Sequence, residues 1–153
     1  MNKQKLKDIN EADEPYKRPK IVVMCGSSRY VDIMAVCEWL IQRDELAITM
    51  GLNLLPSWYC QGKIPDHLAE NEGCAKEMDE LHLRKIDIAD EIFVVNFRDY
   101  IGESTSREIK YAQDKGKKIR WYNCDEIGAT VQSLIARLAA EGDKKEERRR
   151  MRR

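Results

Sequence analysis

Three features of the chain predict an α/β fold built on a parallel sheet. Short, wholly apolar runs stop abruptly at turn residues: Ile21-Val22-Val23-Met24-Cys25 at Gly26-Ser27-Ser28, and Ile92-Phe93-Val94-Val95 at Asn96. Strands covered by helices on both faces have that composition. Between the runs lie longer segments whose apolar residues recur at helical spacing. The third feature is size, since 153 residues with 42% hydrophobic side chains fill one core comfortably and two poorly.

The elements follow in order. Residues 1–19 are rich in lysine and acid and contain Pro15 and Pro19, which predicts a mobile lead-in. The folded domain is expected over 20–141. Its first strand runs into a turn that can cap a helix over Tyr30–Arg43, where Met34, Cys37 and Ile41 share a face. A second strand falls within Leu46–Leu55 and stops at Pro56, and Ser57–Pro65 is a loop carrying Trp58 and Tyr59. From Asp66 to Ile88 the pattern is helical, with Ala75, Met78, Leu81 and Ala89 as the apolar face and Gly73 as an interruption. Asp79, His82 and Ile86 share another side at i, i+3 and i+7. A third strand at Glu91–Asn96 leads through a loop to a helix that ends near Lys115-Gly116, and a fourth strand covers Lys118–Tyr122. Ile127, Val131, Leu134, Ile135 and Leu138 mark one face of a final amphipathic helix, and 142–153 is a charged, arginine-rich tail. This alternation predicts a doubly wound, Rossmann-like parallel sheet of roughly four to five strands with right-handed crossovers.

Composition narrows the function. Lysine plus arginine number 27 and so do aspartate plus glutamate, so no global field draws the chain to nucleic acid or a membrane surface. The arginines of the tail are the one place where weak nucleic-acid binding could reside, and it would fall steeply with salt. The five cysteines are scattered and never spaced C-x-x-C, which suits reduced thiols better than a disulfide or zinc framework. No apolar stretch is long enough for a membrane span and the N-terminus is charged rather than signal-like, so a cytoplasmic protein is expected.

The chemistry concentrates where the third strand meets its helix, because ligands of open α/β sheets sit beyond the carboxyl ends of the strands. Gly102-Glu103-Ser104-Thr105-Ser106 can present backbone N–H groups and hydroxyls at a helix start, an anion cradle, with Asn96 at the strand end. Gly26-Ser27-Ser28 offers a second cradle, with Arg29 as a forked phosphate clamp. Glu108, placed in the first helical turn, would be held ionised by the dipole and could attack the anomeric carbon of a sugar. The same spacing, Thr105-x-x-Glu108 before an apolar residue, also fits a capping box without chemistry. His82 fits a packed, hydrogen-bonded histidine as well as an acid or ligand.

Cys25-Gly26-Ser27-Ser28-Arg29 and Thr105-Ser106-Arg107-Glu108-Ile109-Lys110-Tyr111-Ala112 together resemble the nucleoside 2-deoxyribosyltransferase superfamily, including its 2'-deoxynucleoside 5'-monophosphate N-hydrolase branch. Ala89 to Val95 resembles the strand that family places before its nucleophile loop, and the likeness spans about 20–122. The resemblance implies cleavage or transfer of an N-glycosidic bond, a glycosyl intermediate on Glu108, and a homodimer or higher homo-oligomer in which a second copy completes the site. It implies no cofactor and no metal. The chain departs from the pattern at Val23, where the family has tyrosine, at Lys110, where it has glycine, and at Glu103, usually small or neutral. The family's helical aspartate falls near His82, with Asp79 one turn away, so Asp79, His82 or Glu103 is left to handle the leaving base. A looser likeness joins the chain to the cytokinin-activating phosphoribohydrolases, which share a glycine-rich loop ending in threonine-x-x-glutamate and act on the same kind of bond. The alternative from a different class is a non-catalytic nucleotide sensor of the same fold.

Overall fold

The computed structural model describes residues 17–60 and 67–152, and most of the expected lead-in and part of the Ser57–Pro65 loop lie outside them. The order is β1 (Ile21–Gly26), α1 (Val31–Glu45), β2 (Ile48–Met50), α2 (Ser57–Cys60), α3 (Leu68–Asn71), α4 (Ala75–Ile88), β3 (Glu91–Val95), α5 (Glu103–Asp114), β4 (Lys118–Trp121) and α6 (Glu126–Met151). Single 3₁₀ turns follow β1, β3 and β4.

The four strands form one sheet in the order β2-β1-β3-β4, every pair parallel. This is the predicted doubly wound, Rossmann-like architecture. Alternation along the strands divides the core in two. Val22, Met24, Phe93 and Val95 pack with Met34, Cys37 and Ile41 of α1 and Ile127 and Val131 of α6. Val23, Cys25, Ile92 and Val94 point the other way, onto Ile86 of α4, Ala89 and Ala112 of α5. Because side chains alternate faces at every residue, the last inward position of β1 on the second face is Cys25.

Local rules explain most element ends and several corrections. Gly73 and Gly116 take positive φ, where glycine alone has no Cβ cost, and they separate α3 from α4 and stop α5. The helix expected to begin at Tyr30 begins instead at Val31, after a 3₁₀ turn over Ser28–Tyr30. Ser57–Cys60, expected as loop, is a short helix. Of the apolar face expected for this helix, Ala89 is buried just past the end of α4, but Met78 and Leu81 are exposed, and the buried residues within α4 are His82 and Ile86. A helix buries the side that meets the sheet, and here that side carries the histidine. On α6 the stripe is buried at Ile127 and Val131, while Leu138 is exposed and the helix continues across Gly142 to Met151, so the expected tail is helical there.

Candidate active site

The chain leaves β1 toward β2 and β3 toward β4, so these two central neighbours part company and open a crevice at their carboxyl ends. Three side chains enter it from three elements. Cys25 comes from the end of β1, His82 from the buried side of α4, and Glu108 from α5. The buried stripe of α5 is Thr105, Glu108 and Ala112, at i, i+3 and i+7. A carboxylate therefore occupies a position where an aliphatic side chain would ordinarily pack.

Nε2 of His82 lies 3.6 Å from Sγ of Cys25 and 3.8 Å from Oε2 of Glu108. One ligand atom from each of the three residues falls within 4.8 Å of the others. All three are buried. Oε2 of Glu108 and Nδ1 of His82 have no hydrogen-bond partner, although buried polar atoms are nearly always paired. Burial pushes the Glu108 carboxyl up to about 7; the neighbouring Cys25 thiol opposes this, and Asp79 adds to it. Burial, with Lys85 nearby, draws His82 down to about 4, and burial beside Glu108 holds the Cys25 thiol well above its ordinary range. At neutral pH the imidazole is neutral and the thiol protonated, and only the carboxyl is poised to change charge.

These facts revise the expected role of the helix start. The cap of α5 is Gly102 and Glu103 is its first residue, so Glu108 lies in the second turn and Thr105 in the first. The capping box does not form, and Gly102 offers no side-chain acceptor to the first-turn N–H groups. Glu108 is also not held ionised by the dipole, whose influence fades beyond the first turn while desolvation acts in full.

Outside the cluster, a groove of about 840 Å³ runs between α4 and α5, lined by Asp79, Leu83, Ser104, Arg107, Glu108 and Tyr111 among others. Arg107 donates to Asp79 at 3.0 Å and to the Ser104 hydroxyl at 3.2 Å. His82 does not line this groove. Compared with protein-family models, curated proteins and solved structures, the chain finds no match.

The second expected cradle lies beside the first, since Gly26 pairs with Val95 in the sheet register. It is not a helix start. The Ser27 hydroxyl accepts from the Arg29 amide at 3.3 Å, closing a 3₁₀ turn that Ser28 opens. A Cβ on Gly26 would come 3.2 Å from the Val95 carbonyl oxygen and 3.3 Å from the Met34 sulfur, a tight fit for any larger residue. The Arg29 guanidinium stacks 4.6 Å over Tyr100, and Tyr30 packs edge-on to Phe97 and Tyr100, tying the two loops together. Asn96 is committed to structure, its side-chain oxygen accepting from the Asn123 amide at 3.3 Å. Glu103 is exposed. Cys25 and Arg107 were missed as site members. The signal for Cys25 was strand alternation, which puts it on the α4 and α5 side; nothing local marks Arg107.

Proposed function

We propose that the chain cleaves or transfers the N-glycosidic bond of a nucleoside or nucleotide, with Glu108 as the nucleophile. The observation that carries this reading is the unpaired Oε2 of Glu108, buried at the point where the central strands diverge and bordering the groove between α4 and α5. A carboxylate without a hydration shell or a countercation stabilises a developing oxocarbenium ion strongly. Its oxygen forms a bond to the anomeric carbon as the carbon–nitrogen bond breaks and the electron pair leaves with the base. Water or a second base then attacks the glycosyl ester and frees Glu108.

The first-turn N–H groups of α5, the Ser104 hydroxyl and Arg29 are suited to ribose and phosphate oxygens. Among the candidates for the leaving base, Asp79 faces the groove beside Arg107, whereas His82 sits behind Glu108 as a neutral, positioning group. Met78, Leu81 and Ile88 expose 41%, 49% and 60% of their surface on one side of α4, a stripe that supports pairing with a second copy. No helix among the described residues is long and apolar enough to cross a membrane. Free nucleotides and five reduced thiols fit a cytoplasmic setting.

The test is chromatographic. Purified protein is incubated with deoxynucleosides, ribonucleosides, their 5'-monophosphates and NAD, beside a Glu108→Gln chain. Free base from the wild type alone is the expected result; equal release by both proteins defeats the assignment. The Asp79–Arg107 ion pair favours one second reading, a non-catalytic nucleotide sensor, because it ties up the groove's candidate proton donor. That reading predicts thermal stabilisation by nucleotide without any product.

A further inference from the structure

We propose that Cys25, His82 and Glu108 form a site for a borderline-soft divalent cation, Zn²⁺ being the representative case, and that filling it withdraws Glu108 from attack. The first half stands on geometry alone; the second rests on Glu108 being the nucleophile. A thiol, an imidazole and a carboxylate converge from β1, α4 and α5, and together they make a mixed sulfur, nitrogen and oxygen donor set. With bonds of about 2.3 Å to sulfur and about 2.0 Å to nitrogen or oxygen, a tetrahedral zinc has edges of about 3.5 Å and about 3.3 Å. The observed edges are 3.6 Å from sulfur to nitrogen and 3.8 Å from nitrogen to oxygen. The sulfur-to-oxygen edge is within 4.8 Å, so side-chain adjustments of about one ångström or less would close the site.

The charge environment agrees. Oε2 of Glu108 is buried and has no partner, so a cation there satisfies it. The nearby cations are engaged elsewhere, Lys85 with the Gly51 carbonyl at 3.0 Å and Arg107 with Asp79 at 3.0 Å. Hard cations such as Mg²⁺ and Ca²⁺ take oxygen ligands, and the thiol and imidazole disfavour them. Binding sends the Cys25 thiol proton to solvent, together with that of Glu108 where it is protonated, and leaves a thiolate–metal bond. Three protein ligands leave a fourth position for water, and of the three only Glu108 lines the groove.

The experiment uses the full chain, stripped of metal with a chelator and titrated with Co²⁺. The expected result is one equivalent bound with a near-ultraviolet thiolate-to-cobalt band. Zn²⁺ should displace that band, Cys25→Ser and His82→Gln should abolish it, and Cys124→Ser, at an exposed cysteine, should leave it unchanged. If either site variant loses its native circular dichroism, zinc-edge X-ray absorption on the wild type decides instead, with one sulfur scatterer expected. No band, a band that follows Cys124, or a zinc shell without sulfur overturns the site. In the base-release assay one equivalent of Zn²⁺ should stop turnover and a chelator restore it. A cobalt band in a chain with no metal-free turnover would defeat the nucleophile reading and spare the metal site; Zn²⁺-insensitive turnover with a bound metal would defeat the inhibition.

Discussion

Two buried glutamates occupy opposite ends of the sheet and live in opposite environments. Glu91, at the start of β3, is 2% exposed and has Arg120 at 2.9 Å, Lys20 at 3.1 Å and Lys118 at 3.5 Å. Burial works against its charge, but Arg120 and Lys20 hold its carboxyl below the ordinary range. Arg120 also grips Glu45 and Asp125, each within 2.9 Å, so this end is a closed ionic network. Glu108 is 9% exposed, and its one basic neighbour within ion-pair distance among the described residues is His82, which is neutral. Burial then prevails and the carboxyl rises to about 7. Burying a carboxylate costs free energy at both ends, and only at Glu91 is the cost offset by partners. A cost left standing in a crevice makes Glu108 the candidate functional position of the two.

The comparison breaks most visibly at Glu108→Gln. Turnover should fall roughly 10³-fold or more, as loss of a nucleophile does, in the base-release assay. Folding stability at pH 8 should hold or rise by about 1–2 kcal/mol, because a buried charge is removed. Arg120→Met should do the reverse. It takes the shared guanidinium from three carboxylates, with Lys20 left to Glu45 and Glu91, so denaturant unfolding should show a loss of about 3 kcal/mol, with turnover per folded molecule unchanged.

That contrast was only half legible in the sequence. Strand runs such as Ile92 to Val95 state their burial directly, and Gly73 and Gly116 mark breaks by their chemistry alone. The sequence places His82 and Ile86 on one side of their helix and Met78 and Leu81 on another, but periodicity does not say which side meets the sheet. Glu108 is expected at a dipole that holds it ionised; it lies instead in the second turn, where burial favours its proton. The helix cap falls at Gly102, three residues before the expected Thr105, and Glu108 is buried against residues far away in sequence, with His82 of α4 at 3.8 Å. The Glu91 network is equally non-local, joining residues from Lys20 to Asp125.

A sharper test separates the two titrating groups. Folded Glu108 keeps its proton up to about 7 while the unfolded carboxyl releases it near 4.5, so its contribution to stability falls as pH rises across that window. His82 stays neutral when folded down to about 4, whereas the unfolded imidazole gains a proton below 6.5, so its contribution rises with pH. Relative to wild type, Glu108→Gln should gain stability with rising pH between 4.5 and about 7. His82→Gln should lose it between about 4 and 6.5, each by up to about 1.4 kcal/mol per pH unit in urea melts. Parallel profiles would mean that neither group is perturbed. The smallest effect belongs to Arg29→Ala, expected to raise KM for a 5'-monophosphate roughly tenfold, the worth of one charge-assisted hydrogen bond, and to leave KM for the nucleoside alone.

The most direct measurement is intact-mass spectrometry of protein quenched in acid during turnover, followed by peptide mapping. A covalent adduct of one sugar unit on the peptide that carries Glu108, absent from Glu108→Gln, is the predicted result. A sugar adduct on any other residue, or product formation that survives Glu108→Gln, would contradict the account.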